Sequence, residues 1–332
     1  MKLSWQTVRL NLKETFAISY GNYTFREALI IALEQNDYKG FGECTVIDYY
    51  QINLSDFNRL LVSVQSQIEN QKIEHPSDFY VLLLQLNLPS FLRSALDCAY
   101  WDLFGKLEKR SFLELNDINC HGLPESSITI SVDSVESQIR KVEQSDWSKF
   151  KIKLNGFDKS AINELLKVNK NLALDSNGSF SKENCDWLEN NEAISKFDYL
   201  EQPMKTGYGN FSVLHVDKCA NWMADEDCQD MSDLQLLQPH YRSINIKLVK
   251  CGGLTPALQM ISEARKLGFK IMIGCMTEST IGISAGAVLA PLCDFADLDG
   301  ANLIVNDIAD GSWVEEGKIH LSEDYGLGIK SH

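Results

Sequence analysis

The feature that most constrains the fold of this chain is a series of charged residues that end short apolar runs. The series consists of Lys151, Lys153, Asp175, Glu201, Asp225 and Lys247. From Lys153 onward, successive members lie 22, 26, 24 and 22 residues apart. Such an interval accommodates one strand and one helix, so the series is typical of a repeated βα unit that carries each charge to the same rim.

Eight strand-like runs follow residue 127, and helical patterns separate them. The runs are residues 128–132, 150–154, 172–175, 199–201, 222–225, 244–249, 270–275 and 295–298. Their regular alternation predicts an α/β fold with a parallel barrel. A doubly wound open sheet is the alternative, but the first run is followed by V-D-S-V-E, which lacks the glycine-rich phosphate turn of that fold.

The first part of the chain shows strands before helices, which predicts a separate α+β layer. Strand patterns cover residues 3–12, 27–34 and 39–46, with a hairpin turn at N-D-Y-K-G, and helical patterns cover residues 54–70, 78–86 and 89–109. We therefore predict an N-terminal domain over residues 1–118 and a barrel domain over residues 119–305. The tail, residues 306–332, is expected to pack back on the N-terminal domain.

Composition narrows the class of protein. The 332 residues are 44% apolar and 23% charged, as in ordinary globular proteins, and the net charge of −15 argues against nucleic acid or an anionic membrane as a partner. There is no apolar signal core at the start and no run of about 18 apolar residues for a membrane span. Nine scattered cysteines without a CxxC pair predict reduced thiols in a cytoplasmic protein.

Strand alternation places the charged series on the inner face of the predicted barrel. In F-K-I-K-L the two lysines share one face and the apolar residues share the other. Buried charges need partners, and the carboxylates of Asp175, Glu201 and Asp225 suit a divalent cation. A set without histidine or cysteine favours Mg²⁺ over Zn²⁺. Taken singly, each of these residues also fits a solvated strand edge or a helix cap.

Lysines beside a cation are expected to have lowered pKa values and to act as general bases. Lys151 and Lys153 on one strand would face Lys247 across the barrel. Two bases on opposite sides of one carbon suit a racemisation or an epimerisation, because one base removes a proton and the other returns it from the opposite side.

At this point the sequence resembles the enolase superfamily, in particular its muconate-lactonizing subgroup. The resemblance covers nearly the whole chain and rests on R-S-A-L-D-C-A-Y-W-D-L-F-G-K (residues 93–106), K-I-K, D-S-N, E-Q-P, A-D-E, I-K-L-V-K-C-G-G and G-C-M-T-E-S. It implies a (β/α)7β modified TIM barrel with an N-terminal α+β capping domain. It also implies Mg²⁺ held by Asp175, Glu201 and Asp225, rather than Glu226.

The resemblance also implies roles for the lysines. Lys153 and Lys247, rather than Lys250, would form the acid/base pair, and Lys151 would help to neutralise a substrate carboxylate. Stabilisation of an ene-diolate by Mg²⁺ beside a lysine base is the general mechanism of this superfamily.

The motif F-A-D-L-D-G resembles the mark of the dipeptide epimerases of this superfamily. The resemblance implies that Asp297 and Asp299 hold the α-ammonium group of a dipeptide, although a D-x-D-G turn is the plainer structural interpretation. The implied reaction inverts the α-carbon of the C-terminal residue. One lysine removes the α-proton to give an enediolate, and the other lysine reprotonates it.

One departure from the family bears on specificity. Epimerases of L-Ala-L-Glu carry an arginine near the position of Gly21, whereas Arg26 lies further along and is expected at the start of a strand. The capping loops instead offer Ile18, Tyr20, Tyr23 and Tyr50, and the motif G-C-M-T-E-S adds Met276 and Glu278. We therefore predict a preference for small or hydrophobic dipeptides.

Other activities stay open. Within the superfamily they are L-Ala-D/L-Glu epimerase, o-succinylbenzoate synthase, N-acylamino acid racemase and muconate cycloisomerase. A metal-dependent barrel hydrolase would need histidine ligands, which the predicted strand ends lack. An inactive binding protein would not need the full set of lysines and carboxylates. We expect a small-molecule dipeptide as the substrate and a homo-oligomer as the assembly.

Overall fold

The first layer of the structure is a three-stranded antiparallel sheet. In this computed structural model, which describes residues 1–18, 21–72 and 74–332, the strands are β1 (Lys2–Ile18), β2 (Gly21–Gln35) and β3 (Tyr38–Thr45). Asn36 and Asp37 join β2 to β3 with positive φ angles of 51° and 67°, as a tight two-residue hairpin requires. The hairpin predicted from the sequence is confirmed.

Four helices follow this sheet along the chain: α1 (Leu54–Glu69), α2 (Pro76–Gln85), α3 (Ser90–Glu108) and α4 (Phe112–Leu115). Helix α3 lies directly on β3. A Cβ atom on Gly42 would come within 1.9 Å of the Ala95 carbonyl oxygen, and one on Gly40 within 2.1 Å of the Ala99 carbonyl oxygen. Only glycine therefore allows this approach of strand to helix.

The second part of the chain is an eight-stranded parallel barrel, as predicted. Its strands, in order around the barrel, are β4 (Ile128–Ile130), β5 (Lys149–Lys153), β6 (Asn171–Asp175), β7 (Leu200–Glu201), β8 (Trp222–Ala224), β9 (Ser243–Lys247), β10 (Lys270–Gly274) and β11 (Phe295–Asp297). The Ser127 amide donates to the Ala296 carbonyl oxygen at 3.0 Å, which brings the first strand against the eighth.

Helices separate these strands along the chain. They are α5 (Val135–Glu143), α6 (Lys159–Leu165), α7 (Lys182–Glu189), α8 (Tyr208–Phe211), α9 (Leu234–Leu237), α10 (Leu248–Cys251), α11 (Leu254–Lys266) and α12 (Thr280–Ala287). Short 3₁₀ helices span Asp48–Tyr50, Glu192–Lys196, Met231–Asp233, Ala290–Leu292 and Gly300–Leu303.

The strand predicted over residues 244–249 was too long. It ends at Lys247, because α10 begins at Leu248 and Gly252 closes that turn with a φ of 102°. This turn directs Lys250 back toward the barrel, where its Nζ lies 3.1 Å from the Asn245 carbonyl oxygen.

The barrel interior is filled below the mouth and charged at the mouth. Ala173, Tyr199, Met223 and Met272 form a small apolar cluster inside the barrel. The larger apolar core lies between the strands and the outer helices, where Phe150 and Ile152 of β5 are buried. The inner residues at the carboxyl ends of the strands are therefore free to form a polar site.

The tail adds four short strands: β12 (Ala309–Asp310), β13 (Trp313–Glu315), β14 (Lys318–His320) and β15 (Lys330–Ser331). It contacts α3 through Asp102, whose fully buried carboxylate accepts hydrogen bonds from the amides of Leu327 at 2.8 Å and Phe41 at 3.0 Å. Lys106 neutralises the same carboxylate at 2.7 Å. Within the described residues, every helix is too short or too polar to cross a membrane.

Candidate active site

Strand register places the predicted charged residues at one level of the barrel mouth. Lys153 on β5 pairs in register with Asp175 on β6, and Asp175 pairs with Glu201 on β7. Asp225 follows β8 directly, and Lys247 ends β9. Because parallel strands end at the same rim, the five side chains converge on one region.

Each lysine of the series is buried and paired with a carboxylate. Lys151, Lys153 and Lys247 are 3%, 9% and 9% exposed. Lys153 contacts Asp175, and its Nζ lies 3.2 Å from Asn177 Oδ1. Lys247 Nζ lies 2.8 Å from Asp225 Oδ2.

Lys151 lies between two acidic groups. It contacts Asp297, and its Nζ is 3.5 Å from Glu201 Oε2. Lys250 is also buried, but its Nζ is held 2.6 Å from Asp225 Oδ1 and 2.6 Å from the Asp225 carbonyl oxygen. Lys250 therefore fixes Asp225, whereas Lys151, Lys153 and Lys247 line an adjacent cavity.

This cavity, which we call the mouth cavity, has a volume of about 70 Å³. Predicted site residues in its wall are Lys151, Lys153, Lys247, Asp225, Asp297, Asp299, Tyr50 and Met276. Further residues of the wall are Phe16, Arg26, Ile47, Thr129, Asn177, Glu226, Cys275, Thr277 and Leu303. The cavity thus lies between the capping layer and the barrel mouth.

Some predicted substrate contacts lie elsewhere. Glu278 lines a smaller neighbouring cavity together with Glu43, and its pKa is raised by burial and by the Glu43 carboxylate. Tyr23 stacks on Arg26, which lines the mouth cavity. The Arg26 Cζ lies 3.5 Å from the centre of the tyrosine ring. Tyr20 lies outside the described residues, and only the backbone of Ile18 is described.

The two aspartates of the D-x-D motif differ in their hydrogen bonding. Asp297 uses both oxygens, because Oδ1 accepts from Ser127 Oγ at 2.9 Å and Oδ2 contacts Lys151. Asp299 Oδ2 accepts from the Thr129 amide at 2.6 Å, and Oδ1 lies 4.0 Å from the Cys275 thiol. Asp299 therefore has the greater capacity to accept a bond from a ligand.

Neighbouring carboxylates raise the pKa values of two lysines in the structure, and the lowered values expected beside a bound cation stay a prediction. Burial alone would lower the pKa of Lys151, but Asp297 and Glu201 raise it well above its ordinary value. Burial alone would also lower the pKa of Lys247, but Asp225 raises it well above its ordinary value.

The carboxylates show the complementary effect. Although burial disfavours its charge, the pKa of Asp225 is held well below its ordinary value by Lys247 and Lys250. Burial raises the pKa of Glu201 to about 8, and the charges of Asp175 and Asp225 contribute to the increase. The positive charges of Lys151 and Lys247 oppose this increase.

These residues fit a divalent cation chemically. Glu201 Oε2 is buried and makes no hydrogen bond, while Oε1 accepts from Asn245 Nδ2 at 2.8 Å. Three carboxylates on successive strands are the hard oxygen ligands that Mg²⁺ prefers. Over residues 1–18, 21–72 and 74–332, no three acidic, histidine or cysteine side chains are already grouped for metal binding.

Sequence reasoning missed the position of Arg26. It was expected at the start of a strand, but it lies inside β2, opposite Leu10 of β1. It is 5% exposed, and its Nε makes no hydrogen bond. The alternation of Arg26 with the buried residues Ala28 and Ile30 is the signal that could have revealed an inward side chain.

A parallel barrel with lysines and carboxylates at its mouth and a capping layer above defines the class of protein. The sequence profile of the family described as "Enolase C-terminal domain-like" matches residues 134–332. The chain belongs to this family.

Its relatives are isomerases. The chain is 35% identical to the L-Ala-D/L-amino acid epimerase of Flavobacterium johnsoniae and 36% identical to that of a Maribacter species, in each case over 99% of both chains. A dipeptide epimerase from Enterococcus faecalis, solved with Mg and L-Leu-L-Tyr, superposes with a TM-score of 0.86 at 25% identity, over 100% of this chain and 99% of that one. The chain is accordingly an enzyme of the isomerase class.

Substitution of Glu201 tests the cation site. We expect Glu201→Gln to weaken Mg²⁺ binding, measured by isothermal titration calorimetry, at least about 10-fold, since even lost outer-shell partners have effects of that size. Glu278→Gln is the matched control, because it changes a buried carboxyl group outside the ligand set. Equal affinities in Glu201→Gln and the unmodified protein would remove Glu201 from the site.

Proposed function

We propose that this protein is a Mg²⁺-dependent dipeptide epimerase that inverts the α-carbon of the C-terminal residue by proton transfer between two lysines. The observation that carries the proposal is the position of Lys153 and Lys247 in one cavity. They end strands β5 and β9, which are four strands apart in an eight-stranded barrel. Two amines can thus approach one carbon from opposite sides.

The proton transfer uses only groups in the mouth cavity. The neutral amine of one lysine takes the α-proton as the C–H bond breaks, and the electron pair is delocalised onto the substrate carboxylate. The ammonium group of the other lysine then donates a proton to the opposite face, which inverts the centre. General acid–base catalysis of this kind typically contributes about 10²–10⁴-fold to the rate.

Asp175, Glu201 and Asp225 would hold Mg²⁺. When bound, the ion supplies positive charge that stabilises the enediolate, and preorganised charge of this kind is usually the largest catalytic contribution. Lys151, which already contacts the Glu201 and Asp297 carboxylates, would neutralise the carboxylate of the substrate from the protein side.

The ammonium group of the dipeptide would bind at the D-x-D motif. Asp299 is the principal acceptor, because one of its oxygens is free of strong donors while both oxygens of Asp297 are used. A carboxylate at this point distinguishes a free dipeptide from an N-acylated amino acid, which has no ammonium group. This supports the epimerase over N-acylamino acid racemase, o-succinylbenzoate synthase and muconate cycloisomerase.

Small or hydrophobic dipeptides are the proposed substrates. Phe16, Ile47, Met276 and Leu303 give the mouth cavity a partly apolar wall. The names of the Flavobacterium and Maribacter relatives describe L-Ala paired with amino acids in general, which agrees with a broad preference at the second residue.

A second candidate is an epimerase of dipeptides that end in an acidic residue. Arg26 favours it, because a buried guanidinium group with an unbonded Nε in the cavity wall could accept a side-chain carboxylate. The absence of an arginine at Gly21 therefore does not by itself exclude L-Ala-L-Glu as a substrate.

We further propose that the enzyme works in the cytoplasm, which is supported by nine cysteines that are all free thiols in the structure. A homo-oligomer is our proposed assembly. The proposed domains are residues 1–118 and 119–305, and the contacts of Asp102 with the tail support the assignment of residues 306–332 to the capping layer.

Deuterium exchange tests the two-lysine reaction. With Mg²⁺ and L-Ala-L-Val in D₂O, we expect deuterium at the C-terminal α-carbon. Lys153→Ala and Lys247→Ala should each reduce epimerisation at least about 100-fold, because one of the two proton transfers is lost. Each variant should still exchange the α-proton of one of the two epimers for deuterium, as followed by NMR.

Lys149→Ala is the control, since Lys149 lies on the same strand as Lys153 but at the opposite end. Exchange of both epimers by both lysine variants would contradict the mechanism. Absence of exchange by the unmodified enzyme with every dipeptide of a library would contradict the epimerase itself.

The ammonium site predicts a pH dependence. Burial, together with the neighbouring charge of Asp297, raises the pKa of Asp299 to about 6. Asp299 is charged above this pH and neutral below it, so dipeptide affinity should fall as the pH decreases through about 6. Titration calorimetry should show this decrease for L-Ala-L-Val, and Asp299→Asn should bind weakly at every pH. A dipeptide affinity in Asp299→Asn equal to that of the unmodified enzyme would contradict the assignment.

Substrate preference distinguishes the two candidates. We expect a higher kcat/KM for L-Ala-L-Val than for L-Ala-L-Glu. We also expect Arg26→Met to reduce the remaining activity with L-Ala-L-Glu about 10-fold and to change the activity with L-Ala-L-Val little. Arg9→Met is the matched control, because Arg9 also stacks on an aromatic ring, 3.7 Å from the centre of Phe25, but is exposed. Equal or faster turnover of L-Ala-L-Glu by the unmodified enzyme would favour the acidic candidate.

A further inference from the structure

A second cavity adjoins the mouth cavity and has no role in the reaction described above. Its volume is about 240 Å³, and it lies between β1, the carboxyl end of β4 and the 3₁₀ helix Gly300–Leu303. The two cavities share Phe16, Thr129 and Leu303 in their walls. We call the larger one the side cavity.

The side cavity results from an irregularity in the capping sheet. The pairing of β1 with β2 shifts register between Asn11 and Phe16, so the intervening residues of β1 have no ladder partners on β2. This stretch instead lies on the barrel, where Leu12 bridges to Ile304 and the Val305 amide donates to the Asn11 carbonyl oxygen at 2.9 Å. The bulged strand leaves space above β4.

The wall of the side cavity changes character with depth. The part shared with the mouth cavity includes the apolar side chains of Phe16 and Leu303 beside Thr129. Its outer rim is charged, with Lys141 Nζ 3.5 Å from Glu14 Oε2. A mainly aliphatic group that extends from the mouth cavity would therefore find an apolar surface first and solvent beyond it.

We propose that the side cavity binds the side chain of the N-terminal residue of the dipeptide and accepts residues as large as leucine. This inference rests on the proposed function. Thr129 links the two sites, because its amide donates to Asp299 at 2.6 Å and the residue lines both cavities.

The covalent structure of a dipeptide supports this placement of the N-terminal side chain. With the ammonium group at Asp299 and the reacting carbon between Lys153 and Lys247, the peptide bond extends toward the lysines. The side chain of the N-terminal residue branches from the carbon next to the ammonium nitrogen, so it would lie beside Asp299 and the neighbouring shared wall at Thr129.

The volumes of the two cavities also support the proposal. Ligand pockets usually enclose about 300–1,000 Å³. The mouth cavity alone, at about 70 Å³, is far below that range, whereas the two cavities together reach its lower limit. The side cavity thus supplies most of the combined volume.

Thr15→Trp tests the proposal by filling the side cavity. Thr15 lines this cavity, does not line the mouth cavity, and is exposed, so its replacement leaves the catalytic groups in place. Thr7→Trp is the matched control, because Thr7 is an exposed threonine of the same strand that lines neither cavity. The measurement is kcat/KM for L-Ala-L-Ala and for L-Leu-L-Ala, with Mg²⁺ present and folding checked by circular dichroism.

We expect the unmodified enzyme to use both dipeptides with kcat/KM values within about 10-fold of each other, the discrimination expected from small differences in apolar contact. Thr15→Trp should lower kcat/KM for L-Leu-L-Ala at least about 10-fold and leave kcat/KM for L-Ala-L-Ala within about 2-fold of the unmodified value. Thr7→Trp should change neither kcat/KM value.

Three results would overturn the proposal: an unmodified enzyme that uses L-Ala-L-Ala but not L-Leu-L-Ala, a Thr15→Trp variant in which both substrates are affected equally, or one in which neither is affected. In each of these cases the epimerase proposal survives. Failure of that proposal is distinguishable, since the unmodified enzyme would then exchange the α-proton of no dipeptide in the library.

Discussion

Neutralisation of buried charge is the constraint on which the rest of the structure depends. An isolated ion in a protein interior is prohibitively costly, and each lysine of the barrel mouth is accordingly in contact with a carboxylate. Lys153 pairs with Asp175, Lys247 pairs with Asp225, and Lys151 lies between acidic groups from two strands. The pairing keeps a concentration of ionic side chains in place under a layer that excludes most solvent.

The same pairing explains how the site could be set for chemistry. A lysine held by a carboxylate stays protonated, as the raised pKa values of Lys151 and Lys247 indicate. Asp225 and Glu201 are also proposed ligands of Mg²⁺, so the same carboxylates would serve both the ion and the lysines. Ion binding and the readiness of the bases would therefore be coupled through the carboxylates that both require, so the charged series is best understood as one unit.

The barrel and its polar mouth could be predicted from the sequence because both depend on local periodicity. Spacing along the chain gave the βα repeat, and strand alternation gave the inward face of Lys151 and Lys153. The partners of each charge could not be predicted, because they depend on distances between strands. Arg26 was misplaced for a related reason: its strand begins at Gly21, several residues before the apolar run that marked it.

The close packing of β3 on α3 also determines how the site can open. Gly40 and Gly42 bring the strand into backbone contact with the helix, and the next side chain, Glu43, accepts hydrogen bonds from the amides of Ser279 at 3.1 Å and Gly282 at 3.2 Å. Helix, strand and barrel loop are thus joined in one stiff connection. A hinge rotation of the whole capping layer would preserve the packing of β3 on α3 but would break the hydrogen bonds between Glu43 and the barrel loop, so local rearrangement at the cavity wall is the less costly route for small molecules.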